Sequence, residues 1–191
     1  MQKTRLAIFA SGAGSNAINL IRFFNEHPSI QVVEVVCNRP DAPVVQRVKD
    51  LNIPCCLITN EEAANGQFLS DRMSELKVDG IVLAGYLRQI PKELIQHYPN
   101  RIINLHPSLL PKYGGPGMYG DHVHRAVLAN QEQKTGITFH FVNEEYDKGA
   151  ILAQFELPIQ KDTSLNELKQ GIAELEQNYF PLVVERTFKS T

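Results

Sequence analysis

The chain has 191 residues, a length typical of one domain, and 43% of them are apolar, which is enough for a sizeable core. Its 19 basic and 21 acidic residues leave a net charge of −2, and the scattered basic residues argue against a nucleic-acid-binding face. No apolar run approaches membrane-spanning length, and the three cysteines (37, 55 and 56) form neither a disulfide framework nor a CxxC pair, so we predict a reducing, cytoplasmic compartment.

The first predicted strand, residues 6–10, leads directly into a glycine-containing turn, SGAGSN at 11–16. Apolar residues at helical spacing follow at 17–24. A strand, a glycine turn and a helix start in this order are typical of phosphate binding, because the backbone can approach an anion closely and its free N–H groups attract it. A tight turn that binds no ligand is the alternative.

The same turn also fits the loose dinucleotide pattern GxGxxG/A through Gly12, Gly14 and Ala17. A dinucleotide site further requires an acidic residue at the end of the second strand, where it would bind a ribose. The second predicted strand, residues 31–37, is followed instead by Asn38 and Arg39. We therefore favour a phosphate monoester over NAD, and keep a non-catalytic nucleotide-binding module of Rossmann type as an alternative.

Helical and strand patterns continue to alternate as far as residue 106. We predict helices at 42–51, 68–76 and 91–98, and strands at 54–58, 79–85 and 102–106. With the first two strands and the first helix, this gives five strands and four intervening helices. Such alternation predicts a doubly wound, Rossmann-like and mostly parallel sheet.

The strand at 102–106 carries two polar residues that packing does not explain, Asn104 and His106. Side chains two apart on a strand leave the same face, and Pro107 excludes the helical conformation for His106, so both should lie at the carboxyl edge where α/β sheets bind ligands. An amide donor beside an imidazole suits a reaction in which negative charge develops on a carbonyl oxygen. No serine or cysteine is placed as a nucleophile, so we predict direct acyl transfer, with a structural histidine as the alternative.

After the strand comes a loop, residues 112–121, with four glycines and a proline. It is either a mobile flap beside the site or a plain surface loop. Asp121 is predicted to cap a helix that extends to residue 128. His122 and His124 on that helix would diverge too far to share a metal, and we predict no metal site.

The last third alternates strand, turn and strand before a closing helix. Strands are predicted at 136–142 and 151–159, joined by an acidic turn at 143–149. The closing helix begins with a capping box, Ser164 and Glu167, and Pro181 is predicted to kink or restart it. We therefore predict a single α/β domain whose mostly parallel sheet has an antiparallel C-terminal portion.

Five segments together resemble the folate-dependent glycinamide ribonucleotide formyltransferases of purine synthesis: SGAGSN, DGIVLAGYLRQIP, RIINLHPSLLPKYGG, GITFHFVNEEYDKGAIL and EQNYFPLV. They cover nearly the whole chain, and NLHPSLLP is highly specific to formyltransferases. The resemblance implies one formyltransferase domain at 1–191, with a phosphate-binding half at 1–106 and a catalytic and folate-binding half at 107–191. It implies formyl transfer from the co-substrate 10-formyltetrahydrofolate to the glycyl amine of 5-phosphoribosylglycinamide, without a metal.

The resemblance also implies roles for individual residues. Asn104 would bind the oxyanion, His106 would be the catalytic histidine, and Asp147 would pair with His106 and favour its protonated form. The phosphate and the glycyl amine would be bound by Gly14, Ser15, Asn16 and Glu176. The folate would contact Leu87, Arg88, Gln89, Ile90, Asn104 and the stretch that begins at Val142.

One departure from the family pattern concerns the folate tail. Some members carry an arginine where this chain has Thr-Asn-Glu-Glu at 59–62, so contacts to the tail are left open. A formyltetrahydrofolate hydrolase is the alternative within enzymes. The expected partners are small-molecule substrates, with no nucleic acid and no membrane, and the expected assembly is a monomer or a homodimer.

Overall fold

The computed structural model describes residues 2–189, which are built around one seven-stranded sheet. The strands are β1 (Thr4–Phe9), β2 (Ile30–Cys37), β3 (Cys55–Leu57), β4 (Gly80–Leu83), β5 (Ile102–His106), β6 (Lys134–Phe141) and β7 (Ile151–Pro158). Their order in the sheet is β3-β2-β1-β4-β5-β6-β7. The first five strands pair in parallel, while β6 pairs antiparallel with both β5 and β7. The predicted fold class is confirmed.

Helices connect the parallel strands and close the chain. They are α1 (Ser15–Phe24), α2 (Pro43–Lys49), α3 (Asn60–Ala64), α4 (Gly66–Glu75), α5 (Lys92–His97), α6 (Asp121–Ala129) and α7 (Leu165–Phe188). Sequence analysis missed α3, because its five residues are too few to show a helical period; a capping box between Thr59 and Glu62 marks its start. Within residues 2–189, no helix combines the length and apolarity needed to cross a membrane.

Apolar side chains cover both faces of the sheet. Along β1, Leu6 belongs to one buried cluster and Phe9 to the other, as the alternation of a strand requires. The first cluster includes Phe180 of α7, and the second includes Leu94 of α5. Full burial of side chains of this size contributes about 1.5–3 kcal/mol each. Helices are thereby held on both faces, which leaves the strand ends open at the edge.

The carboxyl ends of β1, β4 and β5 meet at one edge of the sheet, because these neighbouring strands are parallel. From β1 the chain continues on one side to β2, and β4 lies on its other side. The strand order therefore reverses beside β1, and ligands of open α/β sheets bind at such a switch point. The glycine turn after β1 and His106 at the end of β5 both lie there.

Two predicted features of helix starts are wrong. Asp121 is the first residue of α6, and the cap position is Gly120; within the described chain the Asp121 carboxylate binds Lys169 Nζ at 2.7 Å instead of a backbone N–H. Pro91 occupies the cap position of α5, one residue before the predicted place. Both errors are of one residue, the usual uncertainty of a helix boundary.

The closing helix α7 does not restart at Pro181 but continues to Phe188. A proline in a helix leaves the carbonyl four residues earlier without its usual N–H donor. That carbonyl belongs to Gln177, and it accepts a hydrogen bond from Asn19 Nδ2 of α1 at 2.8 Å. The contact between the two helices compensates the lost hydrogen bond, which sequence alone does not reveal.

Candidate active site

A cavity of about 510 Å³ opens at the switch point of the sheet. It is bordered by the turn after β1, the loop after β4, the end of β5, the loop at 112–121 and the closing helix. Predicted site residues in its wall are Asn16, Leu87, Arg88, Gln89, Ile90, Asn104, His106, Val142, Asp147 and Glu176. Gly14 and Ser15 lie in the adjoining turn, outside this wall.

The two polar side chains of β5 converge on one carboxylate. Asn104 Nδ2 lies 3.5 Å from Asp147 Oδ1, and His106 Nδ1 lies 3.5 Å from Asp147 Oδ2. The side chains of His106 and Asp147 are only 5% and 10% exposed, so water screens their interaction weakly. The structure therefore brings together the three residues that sequence analysis assigned to catalysis.

A tight backbone crossing places Asp147 in this position. Asp147 has a φ of 54°, a left-handed conformation that aspartate tolerates better than most residues. Two residues later, a Cβ on Gly149 would collide with the carbonyl oxygen of Phe141 at the end of β6. Only glycine allows the loop to return this closely to β6, and the return aims the Asp147 carboxylate at β5.

His140 is a site residue that sequence analysis missed. It lies opposite Asn104 in the antiparallel pair of β5 and β6, and its Nε2 is 3.1 Å from Asn104 Nδ2. Its Nδ1 lies 2.8 Å from the carbonyl oxygen of Phe141, which only accepts, so Nδ1 carries a proton. In the neutral ring Nε2 accepts from Asn104, and in the protonated ring Nε2 can donate to Asp147 Oδ1, which lies 3.5 Å away. His140 thereby fixes the amide of Asn104 with its NH₂ group toward the cluster. An imidazole within the apolar strand GITFHFV was the available signal.

The pKa values of Asp147 and His106 are both lowered, which favours the charged form of the carboxylate but the neutral form of the imidazole. For Asp147, burial opposes ionisation, but contacts with His140 and His106 and the Gly115 N–H together hold its pKa below the ordinary value. For His106, burial lowers the pKa and outweighs the attraction of Asp147 and the bond to the Tyr113 carbonyl. Asp147 thus acts on His106 in the expected direction, but burial of the ring outweighs it, and the depth of that burial could not be predicted from the sequence.

The backbone of the loop at 112–121 contacts the catalytic candidates directly. His106 Nε2 lies 2.7 Å from the Tyr113 carbonyl oxygen, and the Gly115 N–H donates to Asp147 Oδ2 at 2.9 Å. The second half of the loop lines the cavity, and there Tyr119 is 51% exposed. A plain surface loop would not bond to buried site residues, so these contacts favour the flap interpretation.

At the other end of the cavity, the glycine turn and α7 are joined through Asn16. Its Nδ2 donates to Glu176 at 2.8 Å, and its Oδ1 accepts from Gln177 Nε2 at 2.8 Å. Burial raises the pKa of Glu176, and the Asn16 hydrogen bond opposes that shift. Gly14 has a φ of 75°, and within residues 2–189 no side chain caps α1, so N–H groups of its first turn can face an anion.

The loop after β4 forms the third side of the cavity and is held by Ser11, which sequence analysis treated only as part of the turn. The fully buried Ser11 Oγ accepts from the Leu87 N–H at 3.0 Å and donates to Asn38 Oδ1 at 2.7 Å. Leu87 and Tyr146 are 50% and 42% exposed at the cavity mouth. Large apolar groups in a cavity mouth suit a flat, partly apolar ligand.

A site of this kind at the switch point of a mostly parallel sheet is typical of α/β enzymes that act on a carbonyl group. The model of the formyl transferase family matches residues 4–184, and the chain belongs to this family. Among residues 2–189, no group of three or more histidine, cysteine or acidic side chains is arranged to hold a metal ion.

Several relatives carry the same name. The chain is 37% identical over 189 residues to the chloroplastic phosphoribosylglycinamide formyltransferase of Arabidopsis thaliana. The matched region covers 96% of this chain but only 65% of that protein. It is 34% identical to the phosphoribosylglycinamide formyltransferase of Bacillus subtilis, with 95% of this chain and 93% of that protein covered. The chain thus spans slightly less than two thirds of the plant relative and nearly all of the bacterial one.

Solved structures agree in fold. The crystal structure of phosphoribosylglycinamide formyltransferase from Bacillus halodurans superposes with a TM-score of 0.87 at 32% identity, over 97% of this chain and 96% of that one. The structure of the protein with the same name from Streptococcus pneumoniae gives a TM-score of 0.85 at 27% identity, over 99% and 100% of the two chains. The similarity therefore extends over the whole sheet, including its antiparallel end.

Proposed function

We propose that this protein transfers the formyl group of 10-formyltetrahydrofolate to the glycyl amine of 5-phosphoribosylglycinamide, a step of purine synthesis. The observation that carries the proposal is the convergence of Asn104 and His106 on the Asp147 carboxylate within the cavity. The names of the relatives supply the substrates. The geometry supports the reaction class, because these groups surround a point where an oxyanion would form.

The acceptor substrate is proposed to bind at the end of the cavity near α1 and α7. Its phosphate would accept hydrogen bonds from the backbone N–H groups at Gly14, Ser15 and Asn16. Glu176 would face the glycyl amine, since the Asn16 amide already orients its carboxylate. Because burial raises the pKa of Glu176, this carboxylate is a better proton acceptor than an exposed one.

In the proposed reaction the amine attacks the formyl carbon, and the formyl oxygen becomes an oxyanion. Asn104 Nδ2 can donate two hydrogen bonds, and one goes to His140. Its 3.5 Å contact with Asp147 is long, so the second hydrogen can be donated to an oxyanion instead. In the free protein the Tyr113 carbonyl oxygen lies 2.7 Å from His106 Nε2. We place the oxyanion there in the complex, in place of the flap carbonyl.

His106 is proposed to gain its second proton as the reaction proceeds. In the free protein burial keeps the imidazole largely neutral, but an oxyanion at Nε2 and Asp147 at Nδ1 would together stabilise the imidazolium. The attacking amine loses a proton, and the departing folate nitrogen gains one when its bond to the formyl carbon breaks. His106 and Glu176, which both lie in the cavity wall, are the groups that we propose to take part in this transfer.

The donor is proposed to bind along the loop after β4. Leu87, Arg88, Gln89 and Ile90 would contact one side of the pterin ring, with Val142 and the following acidic loop on its other side. The half-exposed Leu87 and Tyr146 would lose contact with water in the complex. Burial of such apolar surface favours binding by about 25 cal/mol per Å².

The remaining expectations stay proposals. We propose one catalytic domain with a phosphate-binding half at 1–106 and a catalytic and folate-binding half at 107–191, acting on small molecules as a monomer or a homodimer. We also propose a reducing, cytoplasmic compartment. In its support, Cys37, Cys55 and Cys56 are all free thiols, and burial raises the pKa of each, that of Cys55 to about 11.

A coupled assay tests the function against its alternatives. Consumption of 10-formyltetrahydrofolate is followed with and without 5-phosphoribosylglycinamide, and the products are identified by mass spectrometry. We expect formylated acceptor, and no consumption without it. Formate released at the same rate without acceptor would identify a hydrolase, while thermal stabilisation by NAD together with no consumption would identify a nucleotide-binding module.

A further inference from the structure

The mechanism above does not use the histidine pair on α6. His122 is exposed and lies edge-on to the Tyr119 ring, with ring centroids 5.4 Å apart. His124 is only 7% exposed and lies in the wall of the cavity. The two imidazoles therefore occupy different environments, and His124 alone adjoins the site.

The hydrogen bonding of His124 is incomplete. Its Nδ1 is fully buried and has no partner among residues 2–189. A buried N–H without an acceptor is rarer in proteins than a buried lone pair without a donor, so the ring proton belongs on Nε2. Burial lowers the pKa of His124; Asp121 opposes the shift, while Lys169 and His106 add to it. In its neutral form the ring therefore carries its one N–H on Nε2, and the residue lines the cavity.

His124 approaches the cavity from the side of the acceptor. Its helix packs on α7 through a small apolar cluster of Val123, Val127 and Leu168. Lys169 of α7, which pairs with Asp121 of α6 at 2.7 Å, precedes Glu176 by seven residues, about two turns of the same helix. The helix of His124 therefore packs on the helix that carries Glu176.

We propose that His124 is a further substrate-binding residue, whose Nε2–H donates a hydrogen bond to an uncharged oxygen of the phosphoribosyl acceptor, either its amide carbonyl or a ribose hydroxyl. The inference rests on the proposed function and adds to it a donor for the acceptor substrate. A neutral imidazole suits an uncharged oxygen, whereas the phosphate is better matched by the helix start. Substrate binding would then supply the acceptor that the Nε2–H lacks among the described residues 2–189.

Three substitutions separate this role from simple packing. In His124→Gln the side-chain amide nitrogen reaches about as far as Nε2, so the donor is retained. In His124→Asn the amide lies near the former Nδ1, and in His124→Leu no donor remains. The matched control is His122→Gln, on the same helix but exposed. Binding of 5-phosphoribosylglycinamide and of 10-formyltetrahydrofolate is measured separately by calorimetry, and KM and kcat are measured in the transfer assay.

We expect the Asn and Leu variants to bind the phosphoribosyl ligand three- to tenfold more weakly, as the loss of one hydrogen bond predicts, and to raise its KM equally. The Gln variant and the His122 control should stay within twofold, and kcat and folate affinity should not change. The inference is overturned if the Leu variant keeps its affinity for the acceptor, or if only folate binding weakens. It is also overturned if the Gln variant loses as much affinity for the acceptor as the Leu variant while all variants melt at the wild-type temperature. A wild-type protein that binds the acceptor but transfers no formyl group would instead refute the proposed function alone.

Discussion

Asp147→Asn tests the cluster at its centre with little disturbance of the backbone. Asn and Asp have the same shape, and asparagine tolerates the left-handed φ of 54° at this position. The substitution removes the charge that faces His106 Nδ1. The side-chain amide oxygen can still accept the hydrogen bond from the Gly115 N–H. The variant should therefore fold normally and lose its electrostatic support for a protonated His106.

The size of the effect follows from the geometry. Opposite unit charges 3.5 Å apart interact by about 5 kcal/mol at an effective dielectric constant of about 20. Each 1.36 kcal/mol corresponds to about tenfold in rate, so complete charge formation would give an upper limit of between three and four powers of ten. Because charge on His106 develops only partly in the transition state, we expect kcat to fall by about a hundred- to several thousandfold.

Single-turnover formyl transfer measures this effect apart from product release. The melting temperature of Asp147→Asn should stay close to that of the wild type, and binding of both substrates should change little. Asp162→Asn, an exposed aspartate in a turn, is the control and should keep wild-type turnover. A rate for Asp147→Asn within tenfold of the wild type, in a folded protein, would refute the electrostatic role assigned to this carboxylate.

Three further changes test other parts of the site. Gly149→Ala should destabilise the fold by several kcal/mol and abolish transfer, because its Cβ meets the Phe141 carbonyl oxygen; denaturant unfolding and the transfer assay check both effects. Ser11→Ala should leave the partly buried Leu87 N–H without its acceptor, at a cost of about 0.5–1.5 kcal/mol, and calorimetry should show weakened folate binding with unchanged acceptor binding. The melting temperature should fall as pH decreases below about 6.5, because the pKa values of His106 and His124 are lowered in the folded state and the unfolded chain then binds more protons; His106→Asn should reduce the slope, with His124 contributing the remainder, and an unchanged slope would contradict the role of His106.

Local sequence patterns were sufficient for most of the fold. The strands alternate with helical periods, and each buried strand of the parallel part is a short apolar run bounded by turn residues. The polar residues Asn104 and His106 stood out in such a run because packing gives no reason for them. Asp147 was identified only through the family resemblance, since an acidic loop residue is usually solvated.

The parts that could not be predicted depend on contacts between distant elements. His140 is significant because the antiparallel register places it opposite Asn104, and a sequence does not state that register. Ser11 acts through the Leu87 N–H of another loop. The protonation of His106 depends on how deeply the ring is buried, which outweighs the neighbouring carboxylate. Each of these properties requires the assembled structure.

The contacts of the flap also connect its position to the charges of the site. The Gly115 N–H helps to lower the pKa of Asp147, and the Tyr113 carbonyl helps to raise that of His106. If the flap moves away, Asp147 loses support for its negative charge and His106 loses support for its positive charge. Both losses favour the uncharged pair over the ion pair. A substrate oxyanion that replaces the Tyr113 carbonyl while Gly115 stays in place would favour the ion pair more strongly than the carbonyl does, which makes closure of this loop part of the electrostatics of the reaction and not only a barrier to water.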